Sequence, residues 1–515
     1  MASGFVIRKN QYYDSVFLMS VNRRISEVKG VQQTAVLMGS PANRQLLVDI
    51  GIQDPQIKAA QPNDLIVAVI AETKRIVEAV LGHLDEWLNV VLESAAPSSL
   101  VRTLEEGLTV QPHASLAVIS VPGEYAAREA HNALQAGLHV FLFSDNVSVE
   151  DELDLKQAAS RQGLLVMGPD CGTSLIGGVG LGFANVVRRG SIGAIGAAGT
   201  GLQEFTSQVH NAGCGISHAI GTGSRDLSDR IGGLTTFAAL EALEADPKTQ
   251  VIALVSKPPA ASTLERLLKR IETLKKPVIG CFLGVDSGDF PAKGGFQFAR
   301  TIDEAVQMAV ATVGGKPGPG QEALTRQEQE ALEGEMALRS PEQKYLRGIL
   351  AGGTFCYQSQ QILRSAGIRI RSNSPFEPKD RLEHPDRSIE HTIVDMGDEY
   401  YMVGKPHPMI DGTMRKRRIL LESQDPGMAV LYLDFILGYN ASLDPVGELV
   451  DVIREAKNLA RQRGGWLSVV ASICGTESDP QGLELQERML HEAGVLVYHS
   501  NATASLACCR LLGKG

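Results

Sequence analysis

The stretch that decides the fold is IGAIGAAGTGLQEF at residues 192–205. Its apolar half is typical of a buried strand, and it ends in the small residues GAAGTG, after which a helical pattern begins. A buried strand, a tight turn of glycine and alanine, and a helix form the first part of a βαβ unit, from which parallel sheets are built. The stretch therefore predicts an α/β fold and leaves open what the glycine turn binds.

The same order of motifs occurs twice along the chain. GAAGTGLQE precedes AIGTGSRDLSD, DPKTQVIALVSKPP and KKPVIGCFLGVDSGD, whereas AGGTFCYQS precedes VDMGDEYYMVGKPHPMID, DPGMAVLYLDFILGY and GGWLSVVASICGTESD. Because both the order of elements and the position of the Gly-Thr loop agree, we predict two tandem copies of one α/β unit. Between the copies, GGKPGPGQ and a segment rich in Gln and Glu predict a linker that carries a solvated helix.

Two further regions precede the first copy. The runs LAVISV, HVFLFS and LLVMG alternate with segments of helical length and extend the βα pattern upstream. Residues 1–110 differ, because the shorter strand-like runs FVIRKN, QQTAVLMG and DLIVAVIA are separated by helical segments. These residues predict a small α+β domain.

Composition and charge limit the class of protein. A chain of 515 residues with 43% hydrophobic and 21% charged residues is typical of a globular enzyme of several domains. The net charge of -10 argues against a nucleic-acid surface, and we interpret the basic run RKRR at 415–418 as a solvated helix face. Neither a signal peptide nor a membrane-spanning window is visible, and the seven scattered cysteines form no C-x-x-C pair. We expect a cytoplasmic protein without membrane or nucleic-acid partners.

The glycine turn fits neither common nucleotide-binding loop. A dinucleotide fingerprint needs its first two glycines one residue apart, but glycines here stand at 193, 196, 199 and 201, and no P-loop motif occurs. What remains is a helix that begins with Gly199, Thr200 and Gly201, whose unpaired N–H groups and positive dipole end attract an anion. Gly353 and Thr354 repeat the pattern, so copies packed face to face would point both helix starts at one phosphate. The alternative is two ordinary tight turns.

These motifs resemble the succinyl-CoA synthetase superfamily, in which a CoA-binding domain is followed by flavodoxin-like ligase domains. LAVISVPGEYAAREAHNALQAGLHVFLFSDNVSVEDE is similar to the second half of the CoA-binding domain, and SIGAIGAAGTGLQEF to the start of the α-subunit ligase domain. SVFLMS, MGPDCGTS, GTGSRDLS, VSKPPA and VGKPHPMID more closely resemble the FdrA family of fused acyl-CoA-synthetase-like proteins.

The resemblance implies a multidomain α/β fold with a CoA-binding-like Rossmann domain and two tandem flavodoxin-like ligase domains. Its expected domains are a small α+β domain at 1–110, the CoA-binding-like domain at 111–190, a first ligase-like domain at 191–315, a linker at 316–345 and a second ligase-like domain at 346–515.

Two features of the synthetases are missing. Synthetases that make a thioester carry phosphate on a histidine after a strand like PVIGCFLG, but here GVDSGDFPAKGGFQFAR follows that strand and no histidine occurs between His218 and His384. Their supporting glutamate lies in a turn that reads Ser256-Lys257-Pro258-Pro259 in this chain. The glycine loop that wraps the CoA pyrophosphate is also not evident.

A protein with phosphate-binding helix starts but no phosphohistidine suits a substrate that arrives already activated. Some FdrA-family proteins are linked to oxamate carbamoyltransferase and act with other subunits, so the resemblance implies transfer of a carbamoyl or acyl group from its phosphate anhydride. The alternatives are an ATP-dependent acyl-CoA synthetase of the succinate–CoA ligase type and a non-catalytic scaffold subunit. No resident cofactor is implied; CoA and carbamoyl phosphate are expected substrates, and other enzyme subunits or a second copy are expected partners.

The candidate residues follow from these motifs. Gly199, Thr200, Gly201, Gly353 and Thr354 are the predicted phosphate-binding residues.

The predicted catalytic residues are His407, Arg225 and Lys257. His407 is held between two prolines and suits proton transfer or donation to an oxygen; the alternative is a structural histidine in a rigid turn. Arg225 has the planar fork that matches a phosphate, and Lys257 would neutralise an anion unless it is simply exposed. Asp395 and Asp398 could bind Mg²⁺, but their spacing favours a turn, and no metal site is predicted. Cys171 follows a strand, where a reactive thiol could stand, but a lone small residue in such a turn is usually inert.

Overall fold

A computed structural model gives the structure of residues 2–514, apart from residues 12, 14, 27, 41–42, 45–46, 48–51, 53, 94–100, 286–294, 317–323 and 403–404. The chain divides into two compact units, residues 1–113 and residues 114–402 with 406–515. No helix among the residues so described is long and apolar enough to cross a membrane.

The N-terminal unit is an antiparallel sheet packed with helices. Its sheet has the order β1-β3-β2, and the central strand LIVAVIA is buried along almost its whole length because side chains cover both faces. Thr73 and Thr103 each cap the helix that follows by accepting a backbone hydrogen bond. The elements are β1 (Ala2–Arg8), α1 (Ser15–Ser26), β2 (Val31–Met38), α2 (Pro55–Ala59), β3 (Leu65–Ala71), α3 (Lys74–Gly82), α4 (Leu84–Glu93) and α5 (Leu104–Val110).

The second unit begins with a three-stranded parallel sheet of order β4-β5-β6. Helix α7 is capped by Ser148 and ends at Gly163, which takes the left-handed conformation (φ 67°) that glycine adopts without strain. The elements are β4 (Leu116–Ile119), α6 (Gly123–Gln135), β5 (His139–Leu142), α7 (Val149–Gln162) and β6 (Val166–Met167).

The first copy of the repeat forms the larger part of a seven-stranded sheet of order β13-β12-β11-β9-β10-β7-β8. Strand VIALVS is buried at every position, as expected for a central parallel strand with helices on both faces. The elements are β7 (Thr173–Ile176), β8 (Val179–Gly182), β9 (Arg189–Gly196), α8 (Gly199–Asn211), β10 (Ile216–Gly221), α9 (Leu234–Ala245), β11 (Val251–Ser256), α10 (Ala261–Ile271), β12 (Val278–Phe282), β13 (Phe296–Ala299) and α11 (Ile302–Thr312).

The second copy forms a five-stranded parallel sheet of order β15-β14-β16-β17-β18, preceded by a helix, α12 (Arg326–Ala337), in the predicted linker. Helix α12 starts with a capping box between Thr325 and Glu328. The other elements are β14 (Tyr345–Leu350), α13 (Gly353–Ser365), β15 (Thr392–Asp395), α14 (Glu399–Met402), α15 (Thr413–Glu422), β16 (Met428–Ile436), α16 (Pro445–Gln462), β17 (Ser468–Cys474), α17 (Leu483–Glu492), β18 (Leu496–Tyr498) and α18 (Asn501–Leu511).

The two copies have the same topology. Within each, the first strand (β9 or β14) lies between the second and third, followed by the fourth and fifth, and all of these neighbours are parallel. This is the flavodoxin-like order 2-1-3-4-5, in which ligands bind beyond the carboxyl ends of the strands, where the order reverses. The predicted α/β fold with two tandem flavodoxin-like units is confirmed. The domain boundaries stay predictions.

Buried polar contacts join the copies. Asn185, before β9, donates from Nδ2 to the backbone oxygen of Leu437 at 2.9 Å and to Oδ2 of Asp479 at 2.7 Å. The backbone N–H of Asn501 donates to Oε1 of Glu204 at 2.8 Å. Because buried polar groups are costly without partners, these bonds specify one arrangement of the copies.

Gly201→Ala should destabilise the chain, because the new Cβ would stand 2.8 Å from Cγ2 of Thr354. We expect a loss of about 1–3 kcal/mol from overpacking, measured as a lowered melting temperature. Gly334→Ala in α12 is the matched control, since a Cβ there meets nothing within 4 Å. It should be neutral or stabilising by up to about 1 kcal/mol through helix propensity. Equal effects of the two substitutions would contradict close packing at Gly201.

Candidate functional site

Two helix starts, one from each copy, lie against each other. A Cβ atom placed on Gly201 in the first turn of α8 would stand 2.8 Å from Cγ2 of Thr354 in α13. A Cβ atom placed on Gly352, directly before α13, would stand 3.1 Å from Oγ1 of Thr200. The structure thus brings the two predicted Gly-Thr loops together at the carboxyl edges of their sheets.

The first turns of α8 and α13 carry backbone donors that no described residue satisfies. Among the residues that the structure describes, no acceptor lies within hydrogen-bond distance of the N–H groups of residues 199–201 or 353–355. Neither N-cap residue, Ala198 or Gly352, provides a side-chain cap. Unpaired N–H groups at the positive ends of two helix dipoles make this junction attractive to an anion.

Asp434, near the end of β16, occupies part of the α13 start. It is fully buried and accepts hydrogen bonds from the backbone N–H groups of Ala351 and Gly352, each at 2.8 Å. Nη2 of Arg415 donates to the same carboxylate at 2.9 Å. Sequence reasoning missed both residues, and the only available signal was an aspartate within the strand-like run AVLYLDFILG.

The interpretation of residues 415–418 as a solvated helix face is wrong for two of its four residues. Arg415 and Arg418 are each only 4% exposed. Arg418 donates to Oε1 of Glu422 at 2.7 Å, one turn further along α15. Residues three apart lie on the same face of a helix, so Arg415 and Arg418 can be buried together where a carboxylate pairs with each guanidinium.

Asp395 ends β15 and lies directly against α13. A Cβ atom placed on Gly353 would stand 2.7 Å from its Oδ2, and its Oδ1 accepts the N–H of Gly397 at 3.0 Å. Burial raises the pKa of this carboxyl to about 6, while the nearby charge of Lys257 opposes the rise. Asp395 is thus a carboxyl able to exchange a proton near neutral pH at the junction of the copies.

His407 joins the same cluster. Its Nε2 lies 3.0 Å from the position of a Cβ on Gly397, and its Nδ1 accepts the N–H of Met409 at 3.2 Å. Burial lowers its pKa to about 4, helped by the charge of Arg415, so the ring is neutral at pH 7. Because Nδ1 accepts, we assign the proton to Nε2, which faces the Asp395 side of the cluster.

Lys257 reaches from the first copy toward the second. It directly follows β11, and its Nζ lies 5.9 Å from the ring centre of Tyr357 on α13. Its charge acts on Asp395 and also on Asp170, in the loop before β7. The structure therefore places Lys257 with His407 and the helix starts.

Arg225 shares a neighbour with Lys257, because the charges of both act on Asp170, but its own hydrogen bonds go elsewhere. Its Nε donates to Glu152 of α7 at 2.9 Å and its Nη2 to the backbone oxygen of Val147 at 2.7 Å. Its neighbour Asp226 accepts a hydrogen bond from Nζ of the buried Lys156 at 2.7 Å. Asp226 also caps α9 by accepting hydrogen bonds from the backbone N–H groups of Thr235 and Thr236. These bonds tie the loop to α7, and the catalytic role of Arg225 stays a prediction.

One further sequence-based candidate, Cys171, has clear surroundings, and one expected stretch is not described. Cys171 is buried, and burial raises its pKa to about 12, which keeps it a thiol rather than a nucleophilic thiolate. The stretch in which the synthetases carry their histidine includes residues 286–294, which lie outside the described residues.

Three family models match the chain. The model "CoA-ligase" matches residues 349–511, "CoA binding domain" matches residues 187–276, and "AllF, heavy metal-associated domain" matches residues 1–100. The first two cover the two copies that form the junction. The CoA-binding match begins close to the end of the range 111–190 in which the sequence resemblance places a CoA-binding-like domain.

Individual relatives agree with these matches. The chain is 42% identical to the uncharacterized protein YahF of Escherichia coli over 100% of its own length and 99% of the relative. It is 28% identical to the succinate–CoA ligase α subunit of Methanothermobacter thermautotrophicus, over 41% of this chain and 74% of that one. It is 26% identical to the malate–CoA ligase α subunit of Methylorubrum extorquens, over 38% of this chain and 68% of that one.

The heavy-metal match is not accompanied by ligands suited to a soft metal. Residues 1–100 contain no cysteine and a single histidine, His83, whose Nδ1 lies 2.8 Å from the backbone oxygen of Ala79. Thiolates are the groups that select soft metals in proteins. No group of three or more His, Cys, Asp or Glu side chains that could hold a metal is found among the described residues. The described residues of this domain therefore hold no cysteine- or histidine-based metal cluster.

Asp395→Asn should change how stability depends on pH. Since the folded pKa of Asp395 is about 6 and its ordinary value is 3.8, the wild type loses stability as pH rises from about 4 through 6. The variant lacks this loss, so its stability relative to the wild type should rise by roughly 3 kcal/mol between pH 4 and pH 7.5. Melting temperatures across that range measure it. The control is Asp451→Asn, because the Asp451 side chain is 91% exposed. If the melting temperature of Asp395→Asn depends on pH in the same way as that of the wild type, the prediction is wrong.

Proposed function

We infer the function from two findings: the chain belongs to the family of the Escherichia coli protein YahF, and its CoA-binding and CoA-ligase domains are succinyl-CoA-synthetase-like. From that premise we propose that it is an enzyme subunit that transfers a carbamoyl or acyl group from its phosphate anhydride to an acceptor without a phosphohistidine. The observation that carries the proposal is the meeting of α8 and α13 at Gly201 and Thr354.

The junction suits a phosphate anhydride. Unpaired N–H groups of two first turns bind phosphoryl oxygens, and preorganised donors of this kind also stabilise charge that develops on a carbonyl oxygen. Lys257 supplies a positive charge from the first copy. The binding of both ends of one substrate at a fixed junction holds the reacting carbonyl in position.

The transfer step needs a group that accepts a proton. The nucleophile of the acceptor forms a bond to the carbonyl carbon, the bond from that carbon to the phosphate oxygen breaks, and phosphate leaves with the electron pair. The proton released by the nucleophile passes to a base at the site. Asp395, with a pKa of about 6, is the group in the cluster that can take it, while the neutral His407 can donate a hydrogen bond from Nε2.

The missing histidine favours a donor that is already activated. No histidine occurs between His218 and His384, and Lys257 stands in the turn that carries the supporting glutamate in the synthetases. The chain therefore has groups that bind phosphate but lacks the group that would carry it covalently. Carbamoyl phosphate is a donor of the required class.

A second candidate is an acyl-CoA ligase that uses CoA as acceptor. It is favoured by the match of residues 187–276 to the CoA binding domain and by the two ligase α subunits among the relatives. The two candidates differ in the ligand that this chain binds: the transferase binds an acyl phosphate as donor, whereas the ligase binds CoA as acceptor.

Ligand-induced stabilisation separates the two candidates. In a thermal-shift panel with fresh carbamoyl phosphate, acetyl phosphate, CoA and ATP, we expect carbamoyl phosphate to raise the melting temperature. A ligand at about 100 times its Kd adds roughly 2.7 kcal/mol to the stability of the folded state. Lys257→Met should reduce that shift, whereas Lys269→Met, at a side chain 71% exposed on α10, should not.

Stabilisation by CoA without any response to an acyl phosphate would favour the ligase and overturn transfer from a pre-activated donor. No response to any of the four ligands would contradict the proposed site in this chain.

A further inference from the structure

We propose that the junction is polarised: the phosphoryl group binds at the start of α8, where the Thr173 hydroxyl is an additional donor, and the acyl end of the substrate faces α13. This inference rests on the proposed function and assigns the two ends of the anhydride to the two copies.

Thr173 points into the α8 start without a partner. It is the first residue of β7 and only 1% exposed, yet its Oγ1 has no hydrogen-bond partner among the described residues. The same oxygen lies 3.3 Å from the position of a Cβ on Gly199, the first residue of α8. A buried hydroxyl without a partner is costly, so its position beside the first turn of α8, whose N–H groups are also unpaired, points to a bound acceptor that both would share.

The α13 start, by contrast, already carries carboxylates. Asp434 takes up the N–H groups of Ala351 and Gly352, and Asp395 lies against Gly353. Arg415 donates to Asp434, and the charge of Lys257 acts on Asp395, so each carboxylate at the α13 start already has a cation beside it. A phosphoryl dianion is therefore less favourable next to α13 than the uncharged acyl carbonyl.

The α8 start lacks both carboxylates. The last residue of β14, Leu350, pairs with Asp395. The last residue of β9 in the first copy, Gly196, pairs with Gly221, so Gly221 is the equivalent of Asp395. Gly196 also pairs with Val255, at the position that Asp434 holds in the second copy. Positions that are acidic in one copy are thus glycine and valine in the other.

The start of α8 is also more accessible to solvent than the start of α13. Residues 197–200 before and in the first turn of α8 are half-buried, whereas Ala351, Gly352 and Thr354 of the second copy are buried. A ligand that exchanges with solvent reaches the N–H groups of α8 more readily. The charge, the unpaired hydroxyl and the accessibility all favour the same helix start for the phosphoryl group.

The test compares two isosteric substitutions, Thr173→Val and Thr354→Val, with inorganic phosphate as the probe in isothermal titration calorimetry of the full chain. We expect Thr173→Val to weaken phosphate binding about tenfold, as expected for loss of one hydrogen bond to an anion, and Thr354→Val to change it less than twofold. Thr173→Ser keeps the hydroxyl and should retain the affinity. Melting temperatures without ligand show whether each variant is folded, and Thr173→Val should melt no lower than the wild type because its hydroxyl has no partner.

Each other outcome overturns the inference. Equal weakening by both valine variants would mean that the phosphoryl group is shared by the two starts, which leaves the proposed function intact. Weakening by Thr354→Val alone would reverse the assignment. If neither inorganic phosphate nor carbamoyl phosphate binds the wild type, the proposed function fails together with this inference.

Discussion

The close approach of α8 to α13 is the constraint on which the site depends. Gly201 has no side chain at the point where Thr354 of the other copy packs, and a Cβ there would stand 2.8 Å from its methyl group. Two helices can meet at their first turns only if little lies between them, and the N–H groups of both turns then face one small volume. The buried polar bonds from Asn185 and from Asn501 hold the two sheets in this arrangement.

Two copies of one fold need not keep one chemistry. Both have the strand order 2-1-3-4-5 and a glycine at the start of the first helix, so the backbone of each presents the same donors. The side chains at the ends of the neighbouring strands differ, with Gly221 and Val255 in one copy and Asp395 and Asp434 in the other. Because charge at a helix start changes its preference for anions, these few positions are enough to distinguish the two helix starts.

Elsewhere in the chain, too, a domain matches a known family model but has different residues at the positions that carry the chemistry. The two tandem copies match the CoA-binding and CoA-ligase models, but no histidine occurs between His218 and His384. The N-terminal domain matches a heavy-metal-associated model but has no cysteine. In both cases the backbone fold is retained while the residues that would carry the covalent or metal chemistry are different, and function has to be argued from the site rather than from the fold.

Local sequence patterns determined the strands, the repeat and the Gly-Thr loops, since apolar runs such as VIALVS and glycine turns depend on neighbours a few residues away. They also pointed to His407 and Lys257, which the fold brings close to the loops. Only the tertiary structure decided that Arg225 pairs with Glu152, that Arg415 is buried on Asp434, and that Asp395 has a raised pKa. The two ion pairs join groups 73 and 19 residues apart in sequence, and burial and pairing at such separations exist only once the chain has folded.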